Sequence, residues 1–370
     1  MTVLEGLVLG PKVVICAGPG GVGKTTAAAA IAIVAARHGR RACVVTIDPA
    51  KRLADALGLD ALTNDPVQVA GDWGGDGELW ALMLDTKTTF DGVVRRYAAS
   101  ADQADAILGN RLYRNISGAL SGTQEYMAME KLYELSEDAR FDLVVVDTPP
   151  SRNALDFLDA PARLTRFLNN RIFRLLMTPT RAGLRAVNVA TQLLLRTISR
   201  VVGGAVVADA VAFFTAFEGM EQGFRERAAR VTALIGEPST AFVVVATPRR
   251  DAVDEAMYFA RRLRDSSIPV RCLVVNRVFP RFASPDDVAG LVASTDSADE
   301  SDRGGGGELA ALVANLVDLD RVAQREEQHI AGLREHLPDA EVVRVPYLAE
   351  DVHDLAGLTD VGRHLVAEAG

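Results

Sequence analysis

Short, continuously apolar runs separated by stretches of helical period organise this chain. Val13-Val14-Ile15-Cys16 is the first such run, and Ala42–Ile47, Leu79–Leu84, Leu143–Val146, Ala241–Ala246, Val270–Val275 and Val342–Val345 repeat it. Runs of this kind read as strands buried on both faces. Thr25–Arg37 is rich in alanine and stops at His38-Gly39, which reads as a helix with a glycine end signal. Glu125–Ala139, Val253–Arg264 and Glu308–His336 carry helical period between later strand candidates. Buried strands alternating with crossover helices predict an α/β fold built on a doubly wound, mostly parallel sheet. Ligands in such sheets sit at the carboxyl ends of the strands. Asp48, Asp147, Thr247 and Asn276 each follow directly on a strand candidate.

The pattern changes between Ser151 and Pro238, which reads as helix after helix without a strand. Gly183–Arg200 is amphipathic with arginines on one side, and Val201–Phe217 carries Asp209 as its only charge. This predicts an all-helical insertion subdomain over 151–238, between a first α/β part at 1–150 and a second at 239–370. The insertion either packs on itself or presents an apolar groove or face to a hydrophobic client or a membrane. Ser284–Gly307 is built of Ser, Asp and Gly and predicts a mobile loop. Its run Gly304–Gly307 reads as a flexible joint, since no strand or lysine accompanies it.

Composition narrows the classes. The 370 residues are 49% hydrophobic and 24% charged, an ordinary globular profile long enough for one large domain with an insertion or for two. Lys plus Arg is 40 against 49 for Asp plus Glu, a net charge of −9. An acidic chain without a basic run argues against nucleic acid as a partner. Cys16, Cys43 and Cys272 all fall in predicted buried strands without a C-x-x-C pair, which argues against structural zinc, iron–sulfur clusters and disulfides. The five histidines form no ligand pair. Met127 and Met129 read as core filling or as an adaptable surface. Met1–Lys12 lacks a secretory pattern and no uncharged apolar run spans a bilayer, so the expected location is cytoplasmic.

The chemistry starts at Cys16-Ala17-Gly18-Pro19-Gly20-Gly21-Val22-Gly23-Lys24-Thr25-Thr26, which reads G-x-x-x-x-G-K-T between a strand and a helix. That context gathers backbone N–H groups and a helix N-terminus around one point, a site for phosphate. Gly20, Gly21, Val22, Gly23 and Lys24 are expected to hold the phosphates, Thr25 to ligate Mg²⁺ and Thr26 to contact the α-phosphate. Asp48, in Thr46-Ile47-Asp48-Pro49-Ala50-Lys51-Arg52, either directs an attacking water or caps the next helix. Asp147 ends Leu143-Val144-Val145-Val146-Asp147, the Walker B arrangement, and is the second expected Mg²⁺ residue. Thr148-Pro149-Pro150 then reads as a switch that senses the γ-phosphate.

In this order the motifs resemble the arsenical-pump (ArsA) ATPase family, which includes the ATPases that target tail-anchored membrane proteins. That family belongs to the dimeric, deviant-Walker P-loop ATPases. The resemblance runs from about Val13 to Leu358, with the helical insertion matching in position more than in sequence. Asp48-Pro49-Ala50 is similar to the family's first switch, which implies that Asp48 activates water. Asp147-Thr148-Pro149-Pro150 is similar to its second. Val274-Val275-Asn276-Arg277 resembles the strand end whose asparagine reads adenine, an edge that an amide suits. Val345-Pro346-Tyr347-Leu348 resembles the late loop over the adenine ring, which puts Pro346 there. The resemblance implies ATP hydrolysis with Mg²⁺, a homodimer or a heterodimer with a related ATPase, and switches that move the helical insertion. The apolar insertion points to a hydrophobic protein client or a membrane protein as partner, with the expected location cytoplasmic or peripheral at the membrane. Two other readings stay open: the soluble subunit of an anion exporter, and a non-hydrolysing nucleotide-dependent scaffold.

The departures are specific. Pro19 stands where the family's lysine reaches the partner's nucleotide, and proline donates nothing. Arg52 or Arg152 could act instead, hydrolysis could need no such cation, or a lysine-bearing partner could supply it. Ser151-Arg152-Asn153 replaces a common Thr-Gly-His. The targeting ATPases' C-x-x-C is missing, no cysteine in the insertion offers arsenite a soft ligand, and only one phosphate loop is present.

Overall fold

Val13–Ala17 is buried along its whole length, with Val14 and Cys16 in the apolar core on one face of a sheet and Val13, Ile15 and Ala17 in the core on the other. Alternate side chains of a strand point to opposite faces. Both faces of this strand are therefore covered, as its unbroken apolar run predicts. The computed structural model describes residues 3–48, 50–114, 123–150, 159–160, 162–163, 165–166, 204–296 and 306–366.

The first part of the chain forms α1 (Val3–Leu9), β1 (Val13–Ala17), α2 (Lys24–Arg37), β2 (Arg41–Thr46), α3 (Arg52–Ala56), β3 (Val67–Gln68) and β4 (Glu78–Met83). Then come α4 (Thr86–Tyr97), α5 (Ala101–Leu108), α6 (Thr123–Glu137) and β5 (Leu143–Asp147). Further along the chain follow α7 (Gly204–Phe217), α8 (Glu221–Gly236), β6 (Thr240–Ala246), α9 (Arg250–Asp265) and β7 (Val270–Val278). The last elements are α10 (Pro285–Asp296), α11 (Gly306–His336), β8 (Glu341–Pro346) and α12 (Leu355–Val366).

The strands make one eight-stranded sheet in the order β3-β4-β2-β5-β1-β6-β7-β8. All neighbours run parallel except the short edge strand β3, which is antiparallel to β4. This is the expected doubly wound, mostly parallel α/β sheet. Its chain reverses direction of travel at β1: β2 and β4 lie on one side and β6, β7 and β8 on the other. A crevice at the carboxyl end of that switch point is where such folds bind ligands.

Helix α2 covers the first face with a nearly all-alanine and isoleucine surface, Ala27 through Ala36 being buried throughout. Alanine has the highest helix propensity and lets a helix lie close to its neighbours. It ends as expected, with Gly39 in the left-handed region at φ 82°. The second face is covered by α6, α8, α9 and α11, through Met129, Val231, Phe259 and Leu333. Cys16, Cys43 and Cys272 are buried in β1, β2 and β7.

A third apolar core lies among helices alone. It joins Val93 and Val94 of α4, Ile107 of α5, Tyr126 and Met127 of α6, Phe213 and Phe217 of α7, and Phe224 of α8. Met127 and Met129 are thus core residues, one in each of two cores. Glu130 of α6 is completely buried, held by Arg227 of α8 at 2.8 Å, whose guanidinium also lies 3.9 Å over the Tyr133 ring. Arg96 of α4 reaches the same carboxylate at 3.6 Å. A buried charge needs such partners, and here they cross-link the helices. Residues 151–158 and 167–203, including Arg152 and the amphipathic stretch 183–200, lie outside the described residues.

Two expectations change. The stretch 284–307 is not all loop: Pro285–Asp296 forms α10, and α11 begins at Gly306. The helix start is locally encoded. Ser284 Oγ accepts from Asp287 N at 3.1 Å, Asp287 Oδ2 accepts back from Ser284, and Pro285 takes the first helical position. This is a capping box with a proline at its preferred place. The Ser/Asp/Gly composition concealed it. Strand β7 also runs past Val275 to Val278, with a register shift against β8, so Asn276 lies inside the strand at a bulge and not after its end.

Candidate functional site

The site is assembled by register. Thr46, the last residue of β2, pairs with Asp147, the last residue of β5, and Cys16 of β1 pairs with Asp147 from the other side. The loop after β1 therefore stands beside the two strand-end acids. Within it Gly23 is left-handed at φ 93°, and a Cβ there would sit 2.3 Å from Asn276 Nδ2. Only glycine fits this turn into α2.

A cavity of about 430 Å³ opens between these elements, lined by Gly20, Gly21, Gly23, Lys24, Thr25, Thr26, Asp48 and Asp147 among others. A second cavity of about 550 Å³ holds Asn276, Pro346, Tyr347 and Leu348. The two share Thr26, Arg277 and Val352. All but one of the expected site residues thus line one continuous cleft. Val22 does not: its side chain is in the core, and its carbonyl accepts from Asn276 Nδ2 at 2.9 Å. Asn276 is accordingly engaged in bracing the glycine loop, with its Oδ1 accepting from Arg277 N at 2.9 Å. Pro49 and Arg152 lie outside the described residues.

Asp147 is 1% exposed. Its Oδ2 accepts from the hydroxyls of Thr25 at 2.7 Å and Thr46 at 2.9 Å, while its Oδ1 is buried without a hydrogen-bond partner. Burial raises its carboxyl above the ordinary range, opposed by the two hydroxyls and Lys24. Lys24 is 7% exposed, and burial lowers its ammonium, opposed chiefly by Asp147. Its Nζ donates to the Pro19 carbonyl at 2.8 Å. Pro19 is itself buried. Asp48 Oδ1 accepts from Ala50 N at 3.0 Å, which leaves its other oxygen for the cavity it lines.

An orphaned, buried carboxylate oxygen beside a threonine hydroxyl suits a hard cation with oxygen ligands. Among the described residues no cluster of three or more His, Cys, Asp or Glu could hold a metal by itself. Mg²⁺ needs no such cluster, because it binds through one or two protein oxygens and completes its shell with water and phosphate.

Thr46 and Arg277 were not singled out in the sequence, and Thr148 was read only as part of a switch segment. Thr46 accepts from Asp48 N at 3.2 Å while donating to Asp147, so one hydroxyl ties the two strand-end acids together. Thr148 Oγ1 donates to Cys16 O at 2.8 Å and anchors the segment after β5 to β1. Arg277, at the bulge of β7, lines both cavities. The only available signals were adjacency to Asp48, Asp147 and Asn276.

The family profile described as anion-transporting ATPase (ArsA) matches residues 11–289, three quarters of the chain and the whole of this cleft except the β8 side. The chain belongs to the ArsA family. It is 26% identical over 290 residues to ATPase GET3B of Arabidopsis thaliana, covering 72% of this chain and 64% of that one. It is 28% identical over 276 residues to the uncharacterized protein SCO2128 of Streptomyces coelicolor, covering 74% and 64%. Against ATPase ARSA1 of Chlamydomonas reinhardtii it is 26% identical over 287 residues, covering 72% of this chain and 34% of that one. The alignments thus span no more than about two thirds of these relatives' lengths. Among the described residues no helix is long and apolar enough to cross a membrane.

Proposed function

We propose that this ArsA-family chain binds MgATP in the joined cavities and hydrolyses it to ADP and phosphate. The observation that carries the reading is the unpartnered, buried Oδ1 of Asp147 at the mouth of a glycine loop. Thr25 and Asp147 would hold Mg²⁺, which when bound offsets charge on the β- and γ-phosphate oxygens. Lys24 would exchange the Pro19 carbonyl for phosphate oxygens, a stronger, charge-assisted partner. Thr26 would meet the α-phosphate, and Asn276 with Pro346 would frame the base. Asp48 would orient the attacking water. Asp48→Asn should keep MgATP binding but lower turnover about 10²-fold, the scale of a lost general base. Titration with a fluorescent ATP analogue beside an ADP-release assay reads both quantities, and unaltered turnover would release Asp48 from this role.

The second part of the proposal is that two chains close around nucleotide and that the switches move the helical layer for a hydrophobic protein client. Family membership supports it, and so does the Thr46 hydroxyl that joins Asp48 to Asp147. Light scattering is expected to show a dimer with a non-hydrolysable ATP analogue. A monomer with and without the analogue would sink this part, and stimulation of turnover by arsenite would replace the client with an exported anion.

A further inference from the structure

Arg277 combines features that bracing a loop does not require. Its backbone is left-handed at φ 58°, a region that a non-glycine side chain seldom occupies and that clusters at functional sites. It stands at the register shift of β7, where a bulge re-aims a side chain away from the strand's regular alternation. The side chain is exposed and lines both cavities. Among the described residues its guanidinium makes one hydrogen bond, from Nη1 to the Gly21 carbonyl, at a long 3.4 Å. No carboxylate among those residues pairs with it.

We infer that Arg277 is a phosphate-chain ligand: its guanidinium clamps the phosphates of a nucleotide bound in the same chain, where the base cavity meets the glycine loop. The inference rests on the nucleotide reading proposed above. A planar guanidinium matches phosphate oxygens in a two-pronged contact and gains by leaving a distant neutral carbonyl for an anion. Charge in the second cavity favours the same placement. Its acidic residues are Glu350 and Asp351, which repel phosphate, so the phosphates belong on the Arg277 side. Asn276 holds the neighbouring Val22 carbonyl at 2.9 Å, so the loop stays braced when Arg277 leaves the Gly21 carbonyl for the anion.

The test compares Arg277→Gly and Arg277→Lys with the unaltered chain by calorimetric titration of ATP, ADP and adenosine, with unfolding midpoints measured in parallel. Arg277→Gly should weaken ATP and ADP about 10- to 100-fold, the worth of one charge-assisted contact, and leave adenosine unchanged. It should also flatten the salt dependence of ATP binding, since an ionic contact is lost. Its unfolding midpoint should hold or rise, because glycine accepts positive φ without strain. Arg277→Lys should fall between the two. Unchanged ATP affinity in Arg277→Gly would overturn the inference while leaving the nucleotide site standing. Equal weakening of adenosine, or a lowered midpoint, would overturn it in favour of a loop brace. An unaltered chain that takes up no ATP would remove the reading beneath it.

Discussion

Asp147→Asn is expected to lower MgATP turnover about 10³-fold or more and, without nucleotide, to raise the thermal unfolding midpoint. The first effect follows from losing the carboxylate that would hold the metal, a Lewis-acid contribution of several kcal/mol. The second follows from the same burial. The folded-state carboxyl is raised above its unfolded value, because burial outweighs the hydroxyls of Thr25 and Thr46 and the charge of Lys24. A group shifted upward favours the fold below its unfolded value, near 4, and that contribution disappears as pH climbs through the folded value. At neutral pH, above the unfolded value, the burial of this carboxyl therefore opposes folding. An asparagine oxygen can still accept from both hydroxyls, so the substitution removes charge more than hydrogen bonds. Calorimetric scans in apo form and an ADP-release assay check the pair. In the unaltered chain MgATP should raise the midpoint more than ATP with a chelator, and in Asp147→Asn the chelator should make no difference. A lower apo midpoint for the variant would mean that Asp147 is chiefly a structural hydrogen-bonding hub.

Gly18→Ala is expected to destabilise the fold by about 3 kcal/mol or more, at the upper end of what overpacking costs. A Cβ on Gly18 would lie 2.0 Å from the carbonyl oxygen of Val245, an atom of β6 in the centre of the sheet. Neither side can yield cheaply. Gly18 follows β1, which is hydrogen-bonded to β5 and β6 on its two sides, so relief means shearing the central strands or displacing the glycine loop. Both options also disturb the phosphate site. Gly20→Ala is the matched control in the same loop: among the described residues its Cβ meets only the Pro150 ring, at 3.8 and 3.9 Å, ordinary van der Waals contact. Urea unfolding should show a large drop in midpoint for Gly18→Ala and little change for Gly20→Ala. Similar midpoints for both would show that the loop relaxes freely and that strand packing does not demand the glycine.

Much of the candidate site was written locally. The glycine loop between Cys16 and Lys24 sits where its strand and helix context require. Asp147 ends its apolar strand, and Asp48 lies two residues past β2 and faces the same cavity. These assignments rest on short stretches in which hydrophobic period, turn residues and reactive residues lie side by side. The helix α10 was equally local and still missed, because its Ser-Pro-x-Asp start sits in a composition that resembles a loop.

What the chain by itself determined was the kind of element at each place and the acid, lysine or glycine at its end, since periodicity reports whether each residue faces water. Only the tertiary structure decided which ends meet. That β5 lies between β1 and β2, that Thr46 therefore bridges Asp48 to Asp147, and that a bulge turns Arg277 toward the glycine loop all depend on pairings between strands far apart in sequence. The same holds for the third core, in which α4 and α5 join α7 and α8 from the other side of β5. An apolar helix or strand needs some partner to cover it, and many partners satisfy that need equally well. The choice among them is made by the packing of the whole sheet at once, and no single stretch of residues carries it.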